Sequence, residues 1–152
     1  MPILKAKNGI GKTCTMSKIF IDTNILVYAL DVNEKEKQAQ SRSCLKTVLN
    51  GNRGVISTQV IQEFHVTAIR KLGVDPLISK EIIHSFSKFE IVQITLEIID
   101  RAIDCQIINR LSFWDALIMS AAESAHCETI WTEDLNDGQI IQGIRIENPL
   151  NP

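Results

Sequence analysis

Residues 18–31 read KIFIDTNILVYALD, and the fold turns on how that run is divided. Ile19, Phe20 and Ile21, with the stem of Lys18, suit a buried strand, predicted over 18–22. Asp22 ends the run. From Asn24 the apolar residues resume at helical spacing, which predicts a helix over 24–30. A carboxylate therefore stands where a buried strand stops and a helix begins.

Outward from this junction the same alternation repeats. The spacing predicts a helix over 36–49, with Ala39, Cys44, Leu45, Val48 and Leu49 on one stripe and Gly51 closing it. GVIS, at 54–57, is a second short strand. Ser57 or Thr58 caps a helix reaching about Leu72, whose apolar side carries Val60, Ile61, Phe64, Ala68 and Leu72. Gly73 and Pro76 end that helix. Helices over 78–88, 95–109 and from Ser112 to about Ala125, with strands over 89–94, 128–132 and 144–147, complete the chain. Strands separated by helices imply parallel pairing, because a parallel neighbour needs a crossover that packs back onto the sheet. The expected class is α/β: a three-layer α/β/α sandwich around a central, mostly parallel sheet of about five strands.

Residues 1–15 carry neither pattern and read as an appendage to a single domain over 16–152, with Met16 as a fresh start. Within the appendage, AKNGIGKT at 6–13 loosely matches a phosphate-binding loop. That loop needs a buried strand before it and a helix opening at its Lys-Thr end, and neither neighbour qualifies, so nucleotide binding is rejected. No apolar run is long enough to span a bilayer, and no secretory leader is recognisable. Cys14, Cys44, Cys105 and Cys127 form no C-x-x-C pair, and the last three lie in apolar segments. They read as buried thiols in a reducing, cytoplasmic protein. A formal net charge of −2 argues against a protein that grips nucleic acid by a basic surface alone.

Ligands of such sheets bind where the C-terminal ends of the strands emerge, and four acids fall there. Asp22 closes the first strand, Glu63 lies early on the helix after the second, Asp115 is in the first turn opened by Ser112, and Asp134 follows the strand over 128–132. Each has an ordinary explanation. Asp22 can cap a helix, although Thr23 and Asn24 can also do so; Glu63 can face solvent. Asp115 completes an S-x-x-D capping box, and Asp134 suits a turn. Together, with no Lys or Arg close by in sequence to balance them, they would repel one another strongly. A divalent cation resolves that conflict, and Mg²⁺ or Mn²⁺ prefers oxygen ligands. A cation in an acidic pocket also draws in a phosphodiester without a basic surface and supports its hydrolysis.

With those residues in place, the chain resembles the PIN-domain nucleases, and within them the VapC-type toxins of toxin–antitoxin pairs. FIDTNILVYALD, ISTQVIQEF, LSFWDALIMSAA and IWTEDLNDGQ carry the resemblance, over residues 17 to about 150. It implies that Asp22, Glu63, Asp115 and Asp134 are the acidic quartet that binds Mg²⁺ or Mn²⁺. It further implies that Asn24 supports the first aspartate and that Thr132 is the hydroxyl residue before the last acid. RNA as substrate, a cognate antitoxin as partner and a homodimer follow from the same likeness. Asp137 stays outside the core set.

Two other readings compete. A non-catalytic RNA-binding module would have no need of all four acids. A phosphatase with Asp22 as nucleophile would need an aspartate two residues on, where Asn24 stands. The histidines His65, His84 and His126 form no metal motif; His65, roughly opposite Glu63 on its helix, reads as a surface or core-packing residue. His126-Cys127 has nothing to orient it as a nucleophilic pair.

Overall fold

Strand β1 (Ile19–Ile21) is the middle of a six-stranded sheet ordered β3-β2-β1-β4-β6-β5 in a computed structural model that describes residues 17–151. The expected appendage, its loop-like AKNGIGKT and Cys14 lie outside the described residues. Helix α1 (Thr23–Tyr28) follows β1 directly, then α2 (Lys35–Asn50) leads to β2 (Gly54–Ser57). Helices α3 (Thr58–Leu72) and α4 (Pro76–Ser85), with a 3-10 turn over Phe86–Lys88, precede β3 (Glu90–Val92). Helices α5 (Leu96–Asn109) and α6 (Phe113–Ser124) lead to β4 (Thr129–Trp131), and β5 (Ile140–Ile141) and β6 (Ile144–Glu147) end the chain.

All pairings but one are parallel: β1 with β2 and β4, β2 with β3, and β4 with β6. Flanking helices bury the inner strands on both faces, as an all-parallel core requires; Phe20, Ile21, Val55, Ile56, Ile130 and Ile146 have no solvent exposure. The three-layer α/β/α expectation is met, with one strand more than expected. β5 and β6 form an antiparallel hairpin whose two-residue turn, Gln142-Gly143, has positive φ at both positions (51° and 81°). Hairpin turns of that kind usually announce themselves as Asn-Gly or Asp-Gly, and Gln-Gly hid this one.

Local differences have equally plain causes. Pro76 was expected to terminate α3, but it opens α4, with Asp75 as N-cap accepting from the Leu77 amide at 2.8 Å; proline suits the first helical position because its missing N–H has no partner there. Gly73, at φ 68°, does end α3 in the left-handed conformation. Ser57, not Thr58, caps α3. Thr58 Oγ1 instead accepts from the Ile94 amide at 3.1 Å, fixing the chain just beyond β3. His65 Nδ1 lies 2.8 Å from Ser79 Oγ, joining α3 to α4 as a packing contact. Cys105 and Cys127 are buried free thiols and Cys44 is half-buried; burial pushes the Cys127 thiol up to about 12. No helix among the described residues is long and apolar enough to cross a membrane.

Candidate functional site

The register Ile21↔Trp131 between β1 and β4 decides the site, because the next residue on each strand is Asp22 and Thr132. Asp22 is the N-cap of α1, with Oδ1 accepting from the Thr23 amide at 2.7 Å. Its Oδ2 accepts from Thr132 Oγ1 at 2.8 Å. The capping role and the site role therefore fall on the two oxygens of one carboxylate, which is buried. Burial pushes its pKa up to about 6 from 3.8; the bonds from Thr132 and Thr23 oppose the rise, and the charges of Asp134 and Glu63 add to it.

Thr132 is the hub. Only 1% exposed, its hydroxyl donates to Asp22 and accepts from the Asp134 amide at 3.1 Å and from Asn24 Nδ2 at 3.4 Å. Asn24 Nδ2 also donates to Asp134 Oδ2 at 3.1 Å. Asn24 thus touches the last acid, not Asp22, and reaches the first through Thr132. Its own Oδ1 is buried without a partner.

Glu63 does not face free solvent. Thr23 Oγ1 donates to Oε2 and Gln59 Nε2 to Oε1, both at 2.9 Å. The carboxylate is held at both ends. Asp134 is exposed at the rim, and its pKa is raised by desolvation first, with the charges of Asp115, Glu133 and Glu63 adding and the Asn24 bond opposing. Asp22, Glu63 and Asp134 border one cleft of about 290 Å³. Asp115 does not border it; its amide is capped by Ser112 Oγ at 3.1 Å, and it stands near enough for its charge to act on Asp134.

The same cleft shows what sequence reading overlooked. Lys71 borders it, eight residues along the chain from Glu63: Glu63, Thr67 and Lys71 recur every fourth residue and so share one face of α3. Gln59 is four residues before Glu63 on that helix, a spacing that was available as a signal. Tyr28, Lys37 and Glu133 form a second group at the rim. Tyr28 Oη donates to Glu133 Oε1 at 2.5 Å, Lys37 Nζ to Glu133 Oε2 at 3.1 Å and to Tyr28 Oη at 3.2 Å. No sequence spacing links these three.

The donor chemistry suits a hard divalent cation. Every candidate ligand is a carboxylate or amide oxygen, the charges of neighbouring acids add to the burial that raises the pKa of Asp22 and of Asp134, and Asn24 Oδ1 is an acceptor without a donor. Among the described residues no three His, Cys, Asp or Glu side chains stand close enough to hold an ion by themselves. An open set of this kind fits Mg²⁺, which keeps several waters and takes one or two carboxylates directly.

Comparison with known proteins follows the same lines. The PIN domain family model matches residues 19–136. No curated protein matches by sequence. A toxin–antitoxin complex from Klebsiella pneumoniae superposes with a TM-score of 0.66 at 22% identity, covering 88% of this chain and 98% of that one. DNA-bound VapBC from Salmonella typhimurium gives 0.64 at 22% identity, over 88% and 99%. VapC20 of Mycobacterium tuberculosis, a Sarcin-Ricin loop cleaving toxin, gives 0.62 at 14% identity, over 77% and 90%. At these identities the likeness is one of fold.

Proposed function

The chain belongs to the PIN-domain family, and from that premise we propose that it is a divalent-metal-dependent endoribonuclease, the toxin of a type II toxin–antitoxin pair, working in the cytoplasm. One observation supports this above the others: acids from three separate elements line one cleft at the C-terminal edge of a parallel sheet, and they are held by hydrogen-bond donors instead of being neutralised. The toxin assignment draws on the VapBC complexes among the similar structures. A cognate antitoxin and a homodimer belong to the same reading.

Asp22, Glu63, Asp115 and Asp134 would hold Mg²⁺ or Mn²⁺. When bound, the cation supplies Lewis-acid polarisation of the phosphodiester and neutralises the charge that builds up during displacement. The protein's part is preorganisation. Thr132 fixes Oδ2 of Asp22, Thr23 and Gln59 fix both oxygens of Glu63, and Asn24 ties Asp134 to Thr132. Asp22, Glu63 and Asp134 then have no need to reorient when substrate arrives. Lys71, on the Glu63 face of α3, offers a charge for a neighbouring phosphate of the strand.

Cleavage of a single-stranded RNA carrying a fluorophore and a quencher tests the reading. Activity is expected with Mg²⁺ or Mn²⁺, none in EDTA, and a loss of at least a hundredfold in Asp22→Asn, about 3 kcal/mol of transition-state stabilisation. Cleavage by Asp22→Asn at the native rate would remove the assignment. Covalent phosphoryl transfer to Asp22 would instead favour the phosphatase chemistry.

A further inference from the structure

Trp114 is 61% exposed although it adjoins the acids, and nothing in the proposed chemistry uses it. It sits in the first turn of α6, immediately before Asp115. Across from it lie Val66, also exposed, and the amides of Gln59 and Gln62 on α3. Together they border a largely apolar groove of about 460 Å³. Glu63 and Thr67 border both this groove and the acid cleft, so the two are continuous. The edge of Phe113, which packs on the core, meets Trp114 at 5.2 Å between ring centres and 70° or so between planes, which braces the indole.

We propose that this groove is a nucleobase subsite: Trp114 stacks on one unpaired base of the RNA strand whose phosphate occupies the acid cleft. The inference rests on the nuclease reading above and adds to it the part of the substrate that is recognised. A strand passing from the cleft into the groove across Glu63 and Thr67 meets the exposed indole of Trp114 on α6, and stacking on such a face is open to every base but closed to a base held in a duplex. Gln62, exposed on the lining of the groove, offers an amide to the edge of a stacked base. Gln59, 5% exposed, instead holds Glu63 through Nε2. Selection for an unpaired base next to the cut follows from the geometry.

Steady-state cleavage of a single-stranded RNA dodecamer in Mn²⁺ tests this with Trp114→Ala and Trp114→Phe. Trp114→Ala is expected to raise KM by about 5- to 150-fold with kcat little changed, and Trp114→Phe to restore most of the loss. A dodecamer made abasic beside the mapped cut should erase the difference between Trp114→Ala and the native protein. On rapid mixing in Mn²⁺, before turnover, the same intact oligomer should quench tryptophan emission in the native protein and far less in Trp114→Phe, which keeps Trp131. Unchanged KM in Trp114→Ala together with absent quenching overturns the proposal. So does a sedimentation shift from dimer to monomer in Trp114→Ala with RNA affinity preserved, which would assign the groove to a second copy of the chain. Failure of the nuclease reading is distinguishable, since the native protein would then cleave no RNA in Mn²⁺, or Asp22→Asn would cleave as fast as the native protein, whatever Trp114 does.

Discussion

Replacing Asp22 by Asn should make the metal-free protein more stable at neutral pH while abolishing its activity. Burial holds the folded-state pKa of Asp22 at about 6 against 3.8 for the free group. For an acid with a raised pKa, stability is fully present below the unfolded value and is lost as pH rises through the folded one. A shift of about two units at 1.36 kcal/mol per unit amounts to about 3 kcal/mol lost by pH 7.5. Asparagine removes that penalty but cannot accept from both Thr23 N–H and Thr132 O–H, because one end of its amide is a donor. Thr132 Oγ1 already accepts from the Asp134 amide and Asn24, so it has little capacity for a third donor. One lost bond costs about 1 kcal/mol, or up to twice that with its buried partner left unpaired. The balance of about 1–2 kcal/mol corresponds to a Tm higher by about 2–8 °C for a chain of this size. Differential scanning calorimetry in EDTA, from pH 4 to pH 8, measures it. The advantage of the variant should grow from pH 4 to pH 7 and level off above. A variant less stable than the native protein at pH 7.5, or a gap that does not change with pH, would refute the reasoning.

Divalent metal should reverse that order: Mn²⁺ at a hundred times its Kd adds about 2.7 kcal/mol to the native protein, and melting of Asp22→Asn should respond far less. Thr132→Val keeps the shape of the hub but strands Asp22 Oδ2, the Asp134 amide and Asn24 Nδ2. It should lower stability by about 1–3 kcal/mol in urea titrations and move the acidic limb of the pH–rate profile upward, since Asp22 loses the hydrogen bond that most opposes its raised pKa. Gly54→Ala tests the support behind β2: an added Cβ would lie 2.7 Å from Phe89 Cδ1 and 2.8 Å from Val48 Cγ1. The overpacking should cost about 1–3 kcal/mol, read from urea midpoints, with metal response retained in the folded fraction.

The parts of this molecule legible in its sequence are those governed by local rules. Ile19–Ile21 and Val55-Ile56 are apolar without alternation because both faces of a parallel sheet are covered, and helices α3 and α5 show their buried sides at 3.6-residue spacing. Topology then accounts for why acids more than forty residues apart reach one edge. What stayed hidden depends on register and on side-chain direction. That Thr132 meets Asp22 follows from the pairing Ile21↔Trp131, which sequence alone does not fix. That Asn24 bonds Asp134, while Asp115 stays outside the cleft, depends on side-chain directions in the first turns of α1 and α6 and in the segment after β4. The partnership of Tyr28, Lys37 and Glu133 joins the end of a strand loop to two helices and leaves no periodic trace.

That partnership bears on how a chain of net charge −2 can act on a polyanion. Hydrogen-bond donors and cations do different things to a carboxylate: a donor fixes its position and leaves its charge, whereas a cation cancels the charge. Around this cleft the two are distributed unequally. Glu133 has Lys37 at 3.1 Å and the Tyr28 hydroxyl besides, so the rim acid that no nuclease role requires is neutralised internally. Asp22, Glu63 and Asp134 receive only neutral donors, from Thr23, Gln59, Asn24 and Thr132. Their geometry is fixed and their charges are left in place; burial is the main cause of the raised pKa values of Asp22 and Asp134, and the neighbouring acids add to it. A small, doubly charged ion is the counterion for which that imbalance is suited. Once it is supplied, the attraction for phosphate is generated inside the cleft, and the surrounding surface has no need to be basic.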